Sequence, residues 1–127
     1  ISIDSVKCEF ISHTTPWDPN PYWAIYKITA SGSISSANQQ IVVIDIGGEA
    51  YEQPIVSCGS WSANIEYRAT GSSGPGSAQA TCAGTGNTNW QYSIKINHHG
   101  PIDLGYSVWA RTSDWSSTKS ANVQCSD

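Results

Sequence analysis

The chain is predicted to be all-β: a single antiparallel β-sandwich domain over residues 1–127, tied by two disulfides. Three observations carry that expectation. The apolar residues are those that strands favour, with abundant Ile and Val, six Trp, six Tyr and no Met, and with Phe10 and Leu104 alone of their kinds. Leu and Met are among the better helix formers, whereas β-branched and aromatic side chains fit a pleated, half-buried surface. Period-two alternation broken by turn clusters recurs along the chain, and no ten-residue stretch carries a helical stripe. The four cysteines, Cys8, Cys58, Cys82 and Cys125, are widely spaced, with none at C-x-x-C spacing. That sets aside the usual zinc and thioredoxin-like readings and points to two disulfides in an oxidising compartment. Three connectivities are possible. Cys8–Cys125 with Cys58–Cys82 is favoured, because the first and last strands of a sandwich commonly lie side by side.

The elements follow from local pattern. Residues 1–11 form the first strand, with Ile1 and Ile3 in alternation and a slip near Ser5. Pro16, Pro19 and Pro21 then prevent regular pairing and make a long turn. In the strand over 22–34, Tyr22, Ala24, Tyr26, Ile28 and Ala30 share one face. Residues 40–46 are near-continuous Ile/Val, the pattern of a central strand covered on both sides, and Gly47-Gly48 turns it. Strands over 51–57 and 61–69 flank a Cys-Gly-Ser turn. A glycine-rich loop over 71–77 leads to a short strand at 78–83. The clearest alternation lies at 89–97, with Trp90, Tyr92, Ile94 and Ile96 on one side. His98-His99-Gly100-Pro101 ends it, and strands over 104–111 and 119–125 close the sheet.

The second half of the chain resembles a known family. Asn64-Ile-Glu-Tyr-Arg68 before a Gly-rich hairpin, Trp90-Gln-Tyr-Ser-Ile94, and Leu104-Gly-Tyr-Ser-Val-Trp-Ala-Arg111 are similar to the later strands of a fibronectin type III domain, an immunoglobulin-like sandwich. The resemblance spans residues 61–125. It implies a tyrosine corner in which Leu104 and Tyr106 precede the alternating Val108 and Ala110. The earlier residues and the cysteines do not follow that family's pattern. The resemblance speaks to fold and little to function, because this architecture hosts many functions.

Charge and composition exclude several functions. The formal charge is −4, and 13% of residues are charged. The basic residues Lys7, Lys27, Arg68, Lys95, Arg111 and Lys119 are scattered, so no cluster suits nucleic-acid phosphates. The longest aliphatic run, Ile41–Ile44, falls far short of the ~20 apolar residues of a membrane span. The chain opens at Ile1 with neither an initiating Met nor a leader, as expected of a mature or excised secreted domain. No asparagine stands in N-x-S/T.

Catalysis is not expected. There is no G-x-S-x-G elbow and no unpaired cysteine to act as a nucleophile. Glu49, Glu52 and Glu66 are the candidates from which a glycosidase pair would be drawn, with Asp45 nearby, but surface carboxylates on strands are ordinary. No metal or cofactor is expected. His98 and His99 are adjacent and, on a strand, point to opposite faces, and His13 would have to fold back to join them. Asp18 with Asn20, or Asp103 with Asp114, offer loop oxygens without any calcium-loop signature.

The aromatic residues carry the strongest functional signal. Trp90 and Tyr92 fall on the apolar face of their strand and belong to the core. Trp17, Trp61, Trp109 and Trp115 fall where burial is harder to arrange, and exposed indoles stack on sugar rings and anchor interfaces. Asn87, Asn89 and Gln91 are the polar partners expected beside them. Two readings result. The leading one is a non-catalytic structural or adhesive module, secreted or at the cell surface, whose partner is another protein or a further copy in a fibre. In it, Ile1-Ser-Ile3 adds to a neighbour's sheet edge. The alternative is a carbohydrate-binding module that holds polysaccharide on the four tryptophans. A secreted inhibitor or effector is a third role of the same composition.

Overall fold

A computed structural model describes residues 1–13, 23–46, 52–69, 76–99 and 104–125. These residues form β1 (Ser2–His13), β2 (Trp23–Ile46), β3 (Ile55–Ser57), β4 (Ser62–Ala69), β5 (Gly76–His99), β6 (Leu104–Thr112) and β7 (Thr118–Cys125). All ladders are antiparallel and join into one sheet of order β3-β5-β2-β6-β7, with β1 also on β2 and β4 also on β5. The Pro-rich turn with Trp17, the Gly47-Gly48 turn, most of the glycine-rich loop and Gly100-Pro101 lie outside the described residues.

Two strands organise the sheet. β2 and β5 are each 24 residues long and pair along nearly their whole length. Where two separate strands were expected at 22–34 and 40–46, and again at 78–83 and 89–97, each pair is one continuous strand. The interruptions face each other: Ser36 pairs with Gly86 and Gln40 with Gly84, so Ala37, Asn38 and Gln39 stand against Thr85 alone. Extra residues on one strand of a ladder bend it. Gly86 takes φ 90°, a conformation open to glycine and strained for other residues. The Thr85 hydroxyl donates to the Ser36 and Ala37 carbonyls, each at 3.4 Å, and ties the bulge to its partner strand.

The bend makes two layers out of one sheet. β1, β3, the first part of β2 and the last part of β5 form one half. β4, β6, β7 and the remaining parts of β2 and β5 form the other. Alternation puts Ala24, Tyr26, Ile28, Ala30, Ile34, Val42, Ile44 and Ile46 of β2 on a single face, and all are buried. Ala80, Cys82, Trp90, Tyr92, Ile94 and Ile96 of β5 do the same. They join Val108 and Ala110 in one cluster, so both halves bury the same face against each other. Val108 and Ala110 are buried and Tyr106 is partly buried against the core, the alternation of a strand with one face inward.

Two disulfides clamp this arrangement, with the expected connectivity. Cys8–Cys125 joins β1 to the end of β7 with Cα atoms 5.4 Å apart, and Cys58–Cys82 joins the turn after β3 to β5 at 5.7 Å. The first links strands that share no ladder. In the chain-entropy model each closure is worth ~3–5 kcal/mol, more for the longer loop. Two such bonds in a small β domain point to an oxidising environment. No helix among the described residues is long and apolar enough to cross a membrane.

β1 bears the slip anticipated near Ser5, as a register shift between Ile3 and Ser5. The shift moves the inward phase from Ile1 and Ile3 to Val6 and Cys8, all of which pack on the core. Ser2 and Ile3 pair with Ser33 and Gly32, and the Trp90 indole N–H donates to the Ser2 carbonyl at 3.2 Å. The Ile1-Ser-Ile3 segment, expected to add to a neighbour's sheet edge, pairs with β2 on one side, and among the described residues no strand pairs its other side.

Gly32 is where this docking is tightest. A Cβ there would strike the Ser2 carbonyl oxygen and lie 2.8 Å from the Trp90 indole nitrogen. Gly32→Ala is expected to lower unfolding stability by about 1–3 kcal/mol, the usual range for overpacking a filled site, measured by urea denaturation. An unchanged midpoint would mean that the start of β1 is not held as described.

Candidate functional site

The four tryptophans singled out as stacking platforms separate clearly. Trp17 lies outside the described residues. Trp61 is 5% exposed and belongs to the core. Its amide donates to the Cys58 carbonyl at 3.1 Å, and its indole lies flat against Gly84, where an added Cβ would come within 2.6 Å of the ring. The turn before it looks solvent-facing in sequence, but a glycine on the neighbouring strand leaves a slot that draws the ring inward. Trp61 offers no face to a ligand. Trp109 and Trp115 remain, 42% and 67% exposed, and they line the same groove.

That groove lies on the outer face of the β2–β6 ladder. On β6, Val108 and Ala110 point into the core, so Trp109 and Arg111 point outward together. They face Asp45 and Val43 across the ladder. Val43 is buried beneath them and forms the floor. Gln79 of β5 and Thr118 of β7 complete a depression of about 280 Å³ with Trp115 at its rim. Asn87, Asn89 and Gln91, the expected polar partners, instead line the outer face of the other half, beside Ser31, Ser33 and Ser35. Asp45, Gln79, Arg111 and Thr118 take their place.

Trp115 is held there by an unusual turn. Its backbone has φ 64°, the left-handed region, which costs a residue with a Cβ roughly 1–2 kcal/mol. The β6–β7 connection holds it through hydrogen bonds on both sides. The Trp115 amide donates to the Thr112 carbonyl at 3.1 Å, and the Thr112 amide to the Ser117 carbonyl at 2.9 Å. The Ser117 amide donates to the Thr112 hydroxyl at 3.0 Å, and the Ser116 amide to Asp114 Oδ1 at 3.0 Å. The Ser113 amide donates to the Ile41 carbonyl at 2.8 Å and fastens the turn to β2. Above this frame the Arg111 guanidinium stacks on the Trp115 ring, its central carbon 3.9 Å from the ring centroid, while also donating to the Thr112 carbonyl at 3.2 Å.

The electrostatics suit hydrogen bonding to uncharged groups. Asp45 is half-buried; desolvation raises its pKa above the ordinary carboxylate value, opposed by a hydrogen bond from the Ile46 amide and by the charge of Arg111. Its carboxyl oxygens are acceptors beside the guanidinium donors of Arg111 and the amide of Gln79. Burial, and then the charge of Asp45, push the Tyr92 phenol well above its ordinary value, which keeps that ring neutral in the core. Among the described residues, no group of three or more His, Cys, Asp or Glu is placed to hold a metal. Asp114 serves the turn. Side chains of His13, His98 and His99 lie outside the description, as do Asp18, Asn20, Glu49 and Asp103.

Asp114 makes the turn pH-sensitive in a defined sense. Its pKa is lowered from 3.8 to about 2, first by the Ser116 amide and then by the Ser116 and Thr112 hydroxyls. A depressed carboxylate pKa gives stabilisation that is complete above the unfolded value and lost as pH falls through the folded one. The turn is therefore expected to keep its geometry from neutrality to about pH 4 and to loosen between there and about pH 2. Trp115 emission and near-ultraviolet circular dichroism, compared between wild type and Trp115→Phe, report the transition. In Asp114→Ala the wild-type acid transition should vanish; its persistence would assign the change to another carboxylate.

Comparison with known proteins adds no function. No family model matches the chain, and no curated protein matches it. Among solved structures, the chain is similar to a DUF4466 family protein from Parabacteroides merdae, at 10% sequence identity and a TM-score of 0.28. That match covers 97% of this chain and 44% of the other, so the chain spans less than half of its neighbour's length.

Proposed function

We propose that the chain is a non-catalytic, extracellular carbohydrate-binding module, and that Trp109 and Trp115 are its stacking platforms. One observation carries the reading: an exposed indole is held in a strained backbone conformation over a groove that contains a second exposed indole and a charged acceptor–donor pair. Strain of this kind persists only where surrounding structure over-determines it, and it concentrates at binding and catalytic sites. Sugars present apolar C–H faces alternating with hydroxyl rims. Flat aromatic faces match the first, and Asp45, Arg111 and Gln79 match the second.

The site is pre-organised, which reduces the ordering cost of binding. Trp115 is braced by its turn and by Arg111, and Trp109 is rooted in the middle of β6. The shallow outer face of a sheet suits a polymer that lies along it better than a small molecule that must be enclosed. The same openness argues against hydrolysis at Asp45, since the groove does not enclose a substrate as water exclusion and distortion require. Secretion or display at the cell surface is the setting in which two disulfides and a glycan-binding face both make sense. The fibronectin-like later strands fit such a module.

An adhesive role is then a consequence of glycan recognition and does not require strand donation. The Ile1-Ser-Ile3 segment pairs with β2 along one edge, and among the described residues no strand pairs its other edge.

The test is affinity electrophoresis and calorimetry against soluble polysaccharides. Trp115→Ala and Trp109→Ala are each expected to weaken binding by about 2 kcal/mol or more, roughly thirtyfold, as for a central aromatic anchor. Both should leave the melting temperature nearly unchanged. Trp61→Ala should instead cost about 3–5 kcal/mol of stability, as a core deletion. Loss of folding in the Trp109 and Trp115 variants, or binding that survives both, would sink the proposal.

A further inference from the structure

The groove is one end of a longer surface. Strand register extends it across the sheet in two parallel rows. Ser120, Trp109, Asp45, Gln79 and Glu66 stand directly opposite one another on β7, β6, β2, β5 and β4. Thr118, Arg111, Val43, Thr81 and Asn64 form the row beside it. Both rows are on the outer face, because Val42, Ile44, Ala80 and Cys82 take the inner one. Glu66 and Asn64 are exposed at the far edge.

We infer that this surface holds a neutral glycan chain running across the strands, from Trp115 and Trp109 at one end to Glu66 and Asn64 at the other. The inference rests on the carbohydrate reading above and specifies its ligand. Neighbouring strands are roughly 4.8 Å apart, a step close to the length of one pyranose unit in an extended chain. Successive sugars laid across the strands therefore meet successive positions of the same row. From Trp109 to Glu66 the row covers three such steps, roughly 14 Å. Aromatic faces are found only at the first end of these rows, and the remainder offers hydroxyls, amides and carboxylates. The chain is thus anchored by stacking at one end and read by hydrogen bonds along its length.

Charge selects the neutral class. Asp45 and Glu66 stand in the same row, separated by Gln79, while Arg111 is partly engaged by Trp115 and the Thr112 carbonyl. A polyuronate would bring a carboxylate to each acidic position, and the formal charge of −4 adds to the repulsion. Sugar hydroxyls instead donate to both carboxylates, as charge-assisted bonds.

The experiment is calorimetric titration of cello-, manno- and xylo-oligosaccharides, from disaccharide to hexasaccharide, with oligogalacturonates as the anionic counterpart. For at least one neutral series, the hexasaccharide should bind about tenfold or more tightly than the disaccharide, the worth of one charge-assisted hydrogen bond. Glu66→Gln combined with Asn64→Ala should bring the hexasaccharide close to the disaccharide affinity. Both residues are exposed, so thermal melts should confirm an intact fold. Length-independent affinity, or a gain that survives the double variant, would overturn the cross-strand track while leaving the tryptophan site standing. Preferential binding of oligogalacturonate would overturn the neutral assignment. Failure of every series to bind, or binding indifferent to Trp115→Ala, would overturn the carbohydrate reading itself.

Discussion

The paired bend of β2 and β5 is the constraint on which the rest of the molecule depends. A twisted sheet with one apolar face must cover that face with something. Here the cover is the same sheet, folded over where Ala37–Gln39 bulge against Thr85. Because the bend is shared by two hydrogen-bonded strands, the ladder continues through it and the inward phase is kept on both sides. Ile34 and Val42 flank the bulge on β2 and both remain in the core. A single-residue insertion would have inverted the phase and sent Val42, Ile44 and Ile46 to solvent. Two extra residues on β2 keep it.

Given that phase, the grooved outer face follows. With even-numbered residues of β2 inside, Ile41, Val43 and Asp45 are outside, and the β6 register sets Arg111 and Trp109 opposite the last two. Neither disulfide lines the groove; both brace the strands around it. Cys58–Cys82 holds the turn after β3 against β5 behind Trp61, and Cys8–Cys125 fastens the end of β7, whose first residues begin at the Trp115 turn. The groove is carried by regular strands at the middle of the sheet, and one cross-braced turn supplies the projecting ring. That division resembles a general solution for binding sites, in which a rigid scaffold positions a short irregular segment.

Much of this was legible in the sequence, and the limits have physical causes. Composition and alternation identified the all-β class, the inward residues of 22–34 and 89–97, the slip near Ser5 and the disulfide pairing. The first three are written in composition and local period; the pairing came from the expectation that the first and last strands of a sandwich lie side by side. Continuity of β2 and β5 was not legible, because Ser35–Gln39 and Gly84–Thr88 each look like a loop when read alone. Only their pairing with one another makes them strand. Trp61 was misplaced for a related reason: its burial depends on Gly84, a residue distant in sequence that contributes only the absence of a side chain. Trp109 could be placed outside from its phase against Val108. Arg111 was equally readable as its same-face neighbour two residues on, and the alternation that exposed the tryptophan would have found it. Asp45 stood out only as a neighbour of the candidate glutamates, and Gln79 carried no signal, since both enter the groove through cross-strand register.

What separates Trp115 from an incidental surface aromatic is the direction of the energetics. Exposing a large indole loses the burial that would favour the fold, and φ 64° adds backbone strain. Glycine or asparagine at that position would relieve the strain without disturbing the turn's hydrogen bonds, which use backbone groups and the side chains of Thr112 and Asp114 and none from the indole. The turn therefore does not need a tryptophan; the ring needs the turn. Arg111 makes the same point from the other side. Its guanidinium stacks on the Trp115 ring, yet the tryptophan stays 67% exposed. A residue that is unfavourable for folding, held in place by neighbours that gain little from it, is best understood by what it contacts from outside.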